Sequence, residues 1–230
     1  MKTILITGAN RGIGLEFSRQ YLKAGQRVIA TARHPDQSEG LQALQQQYPD
    51  AMSLYALDVA DAASRQALSD AVGDRLIHVL INNAGYYGNS NPLGKLDEAE
   101  WSKVFQINCI AAIKMVELLR SNLMSAGSAT IAMLSSKMGS MSDNTSGGSY
   151  LYRSSKAALN AATKSLSVDL ASEQIKVVAL HPGWVLTDMG GPNALIDTTT
   201  SVSGMCKIID GLKTQQSGDF IAYDGTLVPW

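Results

Sequence analysis

Metal-binding spacing is missing from this chain. Its two cysteines, Cys109 and Cys206, are too few and too far apart for a disulfide framework or a zinc site. Its three histidines, His34, His78 and His181, never fall at ligand spacing, so no metal is expected. Charge is also scarce. Asp, Glu, Lys and Arg make up 17% of 230 residues, and the net charge is −1. Without a basic excess to neutralise a phosphate backbone, nucleic acid is not an expected partner. So few charges favour an oligomer that hides part of its surface. Aromatics, at 6%, are too sparse for a platform that stacks single-stranded bases. No run reaches the roughly 18 apolar residues of a membrane helix, so no membrane partner is expected. The opening MKTILITGANRG has one lysine and an apolar run that ends at Gly8, too short for a signal peptide. A cytoplasmic, reducing location is the expectation. No Gly-x-Ser-x-Gly pentapeptide occurs, which argues against a serine hydrolase.

What the chain does have is apolar content, 45%, enough for a sizeable core, in an alternating pattern. Lys2–Thr7, Arg27–Ala32, Ser53–Leu57, Val79–Ile81, Thr130–Leu134 and Lys176–Leu180 read as short strands. Gly12–Ala24, Leu41–Tyr48, Ala62–Val72, Asp97–Arg120 and Tyr152–Ala171 read as helices. Strands alternating with helices imply βαβ units and a parallel sheet covered on both faces. The expected fold is α/β: a doubly wound parallel sheet of Rossmann type in three αβα layers, with residues 1–230 forming one domain. Two irregular stretches, Gly85–Gly94 and Met138–Ser149, follow strands. In such sheets the loops beyond the carboxyl ends of strands form the site.

TGANRGIG (Thr7–Gly14) sits between the first strand and the first helix. Its glycines allow a tight turn and close approach of a pyrophosphate to a helix N-terminus. The spacing is Gly-x-x-x-Gly-x-Gly, and an ordinary tight turn has the same look. A phosphate loop of Walker type is excluded, because no Gly-Lys-Ser/Thr follows. Further on, Tyr152 and Lys156 stand four apart on a helix and share a face. A free tyrosine has a pKa near 10, and a neighbouring ammonium lowers it. A solvated helix face with a partly buried tyrosine is the plain alternative. Tyr150 is a decoy, since Ser154 stands where its cation would be.

Together these elements resemble the short-chain dehydrogenase/reductase family. The turn has that family's Thr-Gly-x-x-x-Gly-x-Gly spacing. Asp58-Val59, NNAG (Asn82–Gly85), Asn108, Ser135-Ser136, YRSSK (Tyr152–Lys156) and HPGWVLTDM (His181–Met189) follow in the family's order. GGSYLYRSSKAALN and YDGTLVPW resemble its C-factor and sniffer type of carbonyl reductase. The resemblance implies an NADP(H)-dependent oxidoreductase acting on a small carbonyl or alcohol compound. It assigns catalysis to Asn108, Ser136, Tyr152 and Lys156. Tyr152 gives its proton to the carbonyl oxygen during hydride transfer. Lys156 holds the nicotinamide ribose and depresses the Tyr152 pKa. Ser136 bonds the carbonyl oxygen, and Asn108 positions a water that links Lys156 to solvent. Cofactor contacts are implied for Gly8, Asn10, Arg11, Gly12, Ile13, Gly14, Arg33, Asp58, Val59, Asn83, Ala84, Gly85, Pro182, Gly183, Val185 and Thr187, besides Tyr152 and Lys156. A substrate lid is implied at about 190–200. Pairing through the two long helices implies a homodimer or homotetramer. A dinucleotide-binding regulatory protein of C-factor type, without turnover, is the alternative.

The chain departs from the family in one place. Ser136 precedes Tyr152 by 16 residues, where about a dozen is usual, so Met138–Ser149 carries a short insertion at the pocket rim. The departure also leaves Ser135 as a rival to Ser136.

Cofactor preference follows from charge. An acid at the end of the second strand would repel a 2′-phosphate, and here that place reads Thr31-Ala32-Arg33. Arg11 in the glycine turn adds a second guanidinium able to grip a phosphate. NADPH is therefore expected to outcompete NADH, and Arg33→Asp to reduce or reverse the preference in steady-state assays. Equal use of both cofactors by the native protein would refute this.

Overall fold

Alternation within the first strand sets the layers. Ile4 and Ile6 of β1 (Thr3–Ile6) enter one apolar cluster, and Leu5 enters another. The remaining strands are β2 (Arg27–Ala32), β3 (Met52–Ala56), β4 (Val79–Asn82), β5 (Ala129–Leu134), β6 (Ile175–His181) and β7 (Phe220–Ala222). The computed structural model describes residues Met1–Trp230, and all seven strands lie parallel in the order β3-β2-β1-β4-β5-β6-β7. This is the doubly wound Rossmann-type sheet that the alternation implied.

The helices are α1 (Gly12–Lys23), α2 (Glu39–Gln47), α3 (Ala62–Val72), α4 (Glu98–Phe105), α5 (Ala111–Ser125), α6 (Tyr150–Asp169) and α7 (Thr198–Gly211). Phe17 of α1, Leu41 and Leu44 of α2, and Val202, Met205 and Ile209 of α7 cover the Ile4/Ile6 face. Leu68 of α3, Met115 and Leu119 of α5, and Leu159 of α6 cover the other. No helix is long and apolar enough to cross a membrane. Side-chain caps start four of the helices. Asp61, Asp97 and Asp197 accept from Ser64, Glu100 and Thr200 N–H at 2.8, 3.1 and 2.7 Å. Ser38 accepts from Leu41 N–H at 3.4 Å.

Several elements differ from the sequence reading. The helix expected over 97–120 is broken by a π turn at Gln106–Ile110, between α4 and α5. A π turn inserts one residue per turn, and this one carries the buried Asn108. The helix α6 begins at Tyr150, two residues early. Beyond His181 the sequence reading names no helix or strand, yet α7 and β7 lie there. Their residues, TTTSVSGMCKIIDG and FIA, explain the silence: one is rich in weak helix formers, the other is three residues long. The stretch expected as a lid, about 190–200, begins in the loop between β6 and α7. That loop closes on itself through Leu186 N–H to Ile196 O and Leu195 N–H to Trp184 O, and Thr198 already opens α7.

Strand order reverses between β2-β1 and β4-β5, so the chain ends leaving β1 and β4 diverge there. Thr7, 1% exposed, spans the gap. Its Oγ1 accepts from Asn83 N–H and Ala84 N–H, both at 3.0 Å. Thr7→Val keeps the shape and removes the acceptor, leaving the Ala84 N–H without this partner. The expected cost is about 1–3 kcal/mol. It should appear as a lower urea midpoint with an unchanged slope; a midpoint equal to that of the native protein would show that the bridge carries no stability.

Candidate active site

The glycine turn is shaped by what cannot fit there. A Cβ on Gly14 would stand 2.2 Å from Gly8 O, and Gly8 itself adopts φ +65° against Ala84. The Asn83 amide donates to Thr7 O and Gly8 O, both at 2.9 Å, and so ties the turn to the end of β4. The helix α1 behind the turn has no side-chain cap and no acid in its first turn, unlike the capped helices elsewhere. Its N-terminal N–H groups and positive dipole end are left for an anion. Gly12 faces Thr187: a Cβ there would stand 3.2 Å from Thr187 Cγ2, so the lid rests on the turn. Ile13 packs partly into the core. These features fit a dinucleotide pyrophosphate.

Around the turn lie the other residues singled out in the sequence. Asn10 and Arg11 are exposed, and Ser38 Oγ donates to Asn10 O at 3.0 Å. Arg11 is ion-paired with Asp188 of the lid, both largely exposed, so the guanidinium expected to face a phosphate is held by a carboxylate. An exposed pair of this kind contributes little and is readily exchanged. Arg33 is exposed just past β2. Asp58 is exposed after β3, with its carboxylate accepting from Ala60 N–H at 2.9 Å, and Val59 is half-buried beside it. Past β6, Gly183 takes φ +85°, Pro182 O accepts from Ser201 Oγ at 2.5 Å, and Val185 is buried.

Tyr152 and Lys156 share the buried face of α6, beside the carboxyl ends of β4 and β5. Lys156 Nζ lies 5.6 Å from the centre of the Tyr152 ring and donates to Leu134 O at 2.7 Å. Gly85 comes close to both Asn108 and Lys156: a Cβ there would stand 3.6 Å from Asn108 Oδ1 and 3.8 Å from Lys156 Nζ. The strand-end serines separate by partner. Ser135 is 3% exposed and bonds Asn160 Oδ1 at 2.5 Å. Ser136 is half-buried, accepts from Met138 N–H at 3.1 Å, and its hydroxyl faces the Tyr152 phenol.

Two expected effects are altered. Lys156 does not depress the Tyr152 pKa here. Burial raises it first, the nearby Tyr87 phenol raises it further, and only the Ser136 hydroxyl pulls it down. The physical reason lies in Lys156 itself. Burial brings its ammonium down to about 8, and its proton points to Leu134 O rather than to the phenol. Asn108 is also engaged by protein. Its amide donates to Tyr86 O at 2.8 Å and Ser155 Oγ at 3.0 Å, and its oxygen accepts from Tyr86 N–H at 2.8 Å. The water-holding role expected of Asn108 is therefore not visible in its side chain. Its visible work is to join the loop after β4 to α6.

Sequence reasoning missed several neighbours. Tyr87 stacks on Tyr152 with ring centres 4.6 Å apart. Asn160, one helical turn beyond Lys156, takes up Ser135. His181 Nδ1 accepts from Lys137 N–H at 3.3 Å behind Ser136, and burial brings its pKa down to about 4, so the ring is neutral. Arg153 donates to Gly147 O, Met138 O and Ser146 Oγ, bracing the Met138–Ser149 loop. Only Asn160 had a sequence signal, the spacing of four from Lys156.

Comparison with known proteins agrees with this geometry. The family profile described as short chain dehydrogenase matches residues 2–195. The C-signal of Myxococcus xanthus is 46% identical over 154 residues, 67% of this chain and 93% of that protein. Carbonyl reductase Sniffer of D. melanogaster superposes with a TM-score of 0.94 at 36% identity, covering 100% of both chains. The NADPH-bound carbonyl reductase from chicken fatty liver gives 0.93 at 34%, covering 100% of this chain and 99% of that one. The profile match runs from the first strand into the lid, and the chain therefore belongs to the short-chain dehydrogenase/reductase family.

Proposed function

We propose that the protein is an NADPH-dependent carbonyl reductase that converts an aldehyde or ketone to an alcohol. The convergence of Tyr152, Lys156 and Ser136 beside an uncapped, glycine-led helix N-terminus carries this reading. Bound NADPH supplies the hydride. Tyr152 gives its proton to the carbonyl oxygen, and burial keeps that phenol protonated until negative charge grows beside it. Ser136 donates to the same oxygen and stabilises that charge. Lys156 would hold the ribose hydroxyls, and its ammonium would favour the phenolate left by proton transfer. Arg33 and Arg11 would hold the 2′-phosphate, Arg11 in exchange for its exposed pair with Asp188. Asn108 holds α6 in register with the loop after β4. The exposed apolar residues of the lid, Trp184, Leu186, Met189 and Leu195, suit a hydrophobic substrate.

A second reading, nucleotide binding without turnover in a signalling role, is favoured by the 46% identity with a protein named C-signal. One experiment separates them. Tyr152→Phe keeps the ring and should cost at least about 10²–10⁴-fold in turnover while leaving NADPH affinity and melting temperature near native. Tyr150→Phe, exposed two residues away, is the control and should be nearly silent. Near-native turnover in Tyr152→Phe refutes the proton-donor role. No turnover by the native protein across a panel of carbonyl compounds favours the second reading.

Lys156 gives a pH test. The free protein carries its ammonium below about 8 and loses it above. Since the ribose contact favours the charged form, NADPH binding should be flat between about pH 7, where the 2′-phosphate is already largely a dianion, and that value. Above it, affinity should fall by about tenfold per pH unit until the pKa of the complex is reached. Nucleotide fluorescence titrations at several pH values read this directly, and Lys156→Ala should remove the step. A step that persists in Lys156→Ala assigns it to another group.

A further inference from the structure

The two irregular stretches after β4 and β5 meet over the Tyr152 phenol. Tyr87 comes from the first, and its ring lies on that of Tyr152 with centres 4.6 Å apart and planes at 29°. Ser149 ends the second, and its Oγ is 3.0 Å from the Tyr87 hydroxyl. Ser149 adopts φ 46°, a left-handed conformation uncommon for a residue with a Cβ, and Gly147 and Gly148 before it both take φ 65°. Three left-handed residues in a row turn the chain back and present the Ser149 hydroxyl to Tyr87. Arg153 fixes the turn, donating to Gly147 O at 3.2 Å and to Ser146 Oγ at 2.8 Å. The loop Met138–Ser149 is thus the part that clasps Tyr87.

Rings 4.6 Å apart between centres are in van der Waals contact, and no substrate layer fits between them. Tyr152 is left 9% exposed. With the ring face covered by Tyr87, a carbonyl oxygen bonded to both the Tyr152 and Ser136 hydroxyls would have to lie beside the edge of Tyr87. A trigonal carbon sends its two substituents apart, so one of them would face the Tyr87–Ser149 clasp.

We infer that Tyr87 is the specificity-determining residue of this site, an inference that rests on the reductase reading above. Held by Ser149, its ring confines one substituent of the carbonyl to hydrogen or methyl, and so selects aldehydes and methyl ketones over ketones bulky on both sides.

The test uses acetophenone, propiophenone and isobutyrophenone with NADPH, a series in which only the smaller substituent grows. Native kcat/KM should fall by about tenfold or more from methyl to isopropyl, in line with the effect of added methylenes in a tight pocket. Tyr87→Ala should flatten the series, raising the isobutyrophenone value by about tenfold. Tyr87→Phe and Ser149→Ala keep the ring and lose only the clasp, and should shift the series the same way by less. A size profile in Tyr87→Ala that matches the native one overturns the inference. Binding supplies a readout independent of turnover. The three ketones are titrated into NADPH-loaded Tyr152→Phe, and into the same variant carrying Tyr87→Ala, with quenching of nucleotide fluorescence as the signal. Loss of size dependence on removing Tyr87 supports the inference, and unchanged dependence overturns it. Failure of the native protein to reduce any carbonyl compound would instead refute the reductase reading, with the binding comparison still deciding the role of Tyr87.

Discussion

Between β1 and β4 the strand order reverses, and one last backbone bond, Thr7 N–H to Ile81 O at 3.0 Å, joins the two chains before they diverge. Beyond it, side chains must do the joining. Thr7 accepts two N–H groups from the β4 side, and Asn83 returns two amide bonds to the β1 side. This reciprocal bridge sets the glycine turn against NNAG. It thereby fixes where the uncapped end of α1 points, and how near Gly85 lies to Lys156. A turn free to move by an ångström would lose the alignment between the anion-binding N–H groups and the catalytic helix. The side-chain bonds cluster at the crevice because the backbone pairing of β1 and β4 ends there, at Thr7 N–H to Ile81 O.

Burial governs the electrostatics at the other end of the site. Tyr152 and Lys156 both lie on the buried face of α6, and removal from water disfavours the charged form of each. The pair therefore holds its proton on the phenol and only weakly on the amine. Such a pair is poised for a change in its surroundings. An anionic or hydroxyl-bearing ligand beside Lys156 favours the ammonium, and the ammonium then favours the phenolate. The neutral His181 behind Lys137 supports the backbone turn of Ser136 without placing another charge near the phenol.

The loop between β5 and α6 is organised from several sides. Arg153 holds its two ends with three donors, and the Trp230 oxygen accepts from both the N–H and the hydroxyl of Ser142 at 3.0 and 2.7 Å. Trp230 in turn stacks on Phe220 of the edge strand β7. The rim of the site is thus tied to the far edge of the sheet, although the residues concerned are distant in sequence.

Much of this was legible in the amino-acid sequence. Buried parallel strands leave continuous apolar runs, and helices on a sheet leave a 3.6-residue period, so the alternation alone implied the layered sheet. The glycine turn and Tyr152–Lys156 were legible because each is a local arrangement, set by backbone sterics or by one helix face; NNAG and Ser135-Ser136 were legible only through the family resemblance. The tertiary structure decided the rest. Ser135 and Ser136 became distinct only when Asn160 came within reach of one and Tyr152 faced the other. Arg11 met Asp188, and Tyr87 met Ser149, across separations no local pattern records. The direction of the Tyr152 shift also belonged to the folded state. Spacing places a cation near a phenol, but burial depends on everything packed around them, and here burial and the Tyr87 phenol raise the pKa while only Ser136 lowers it.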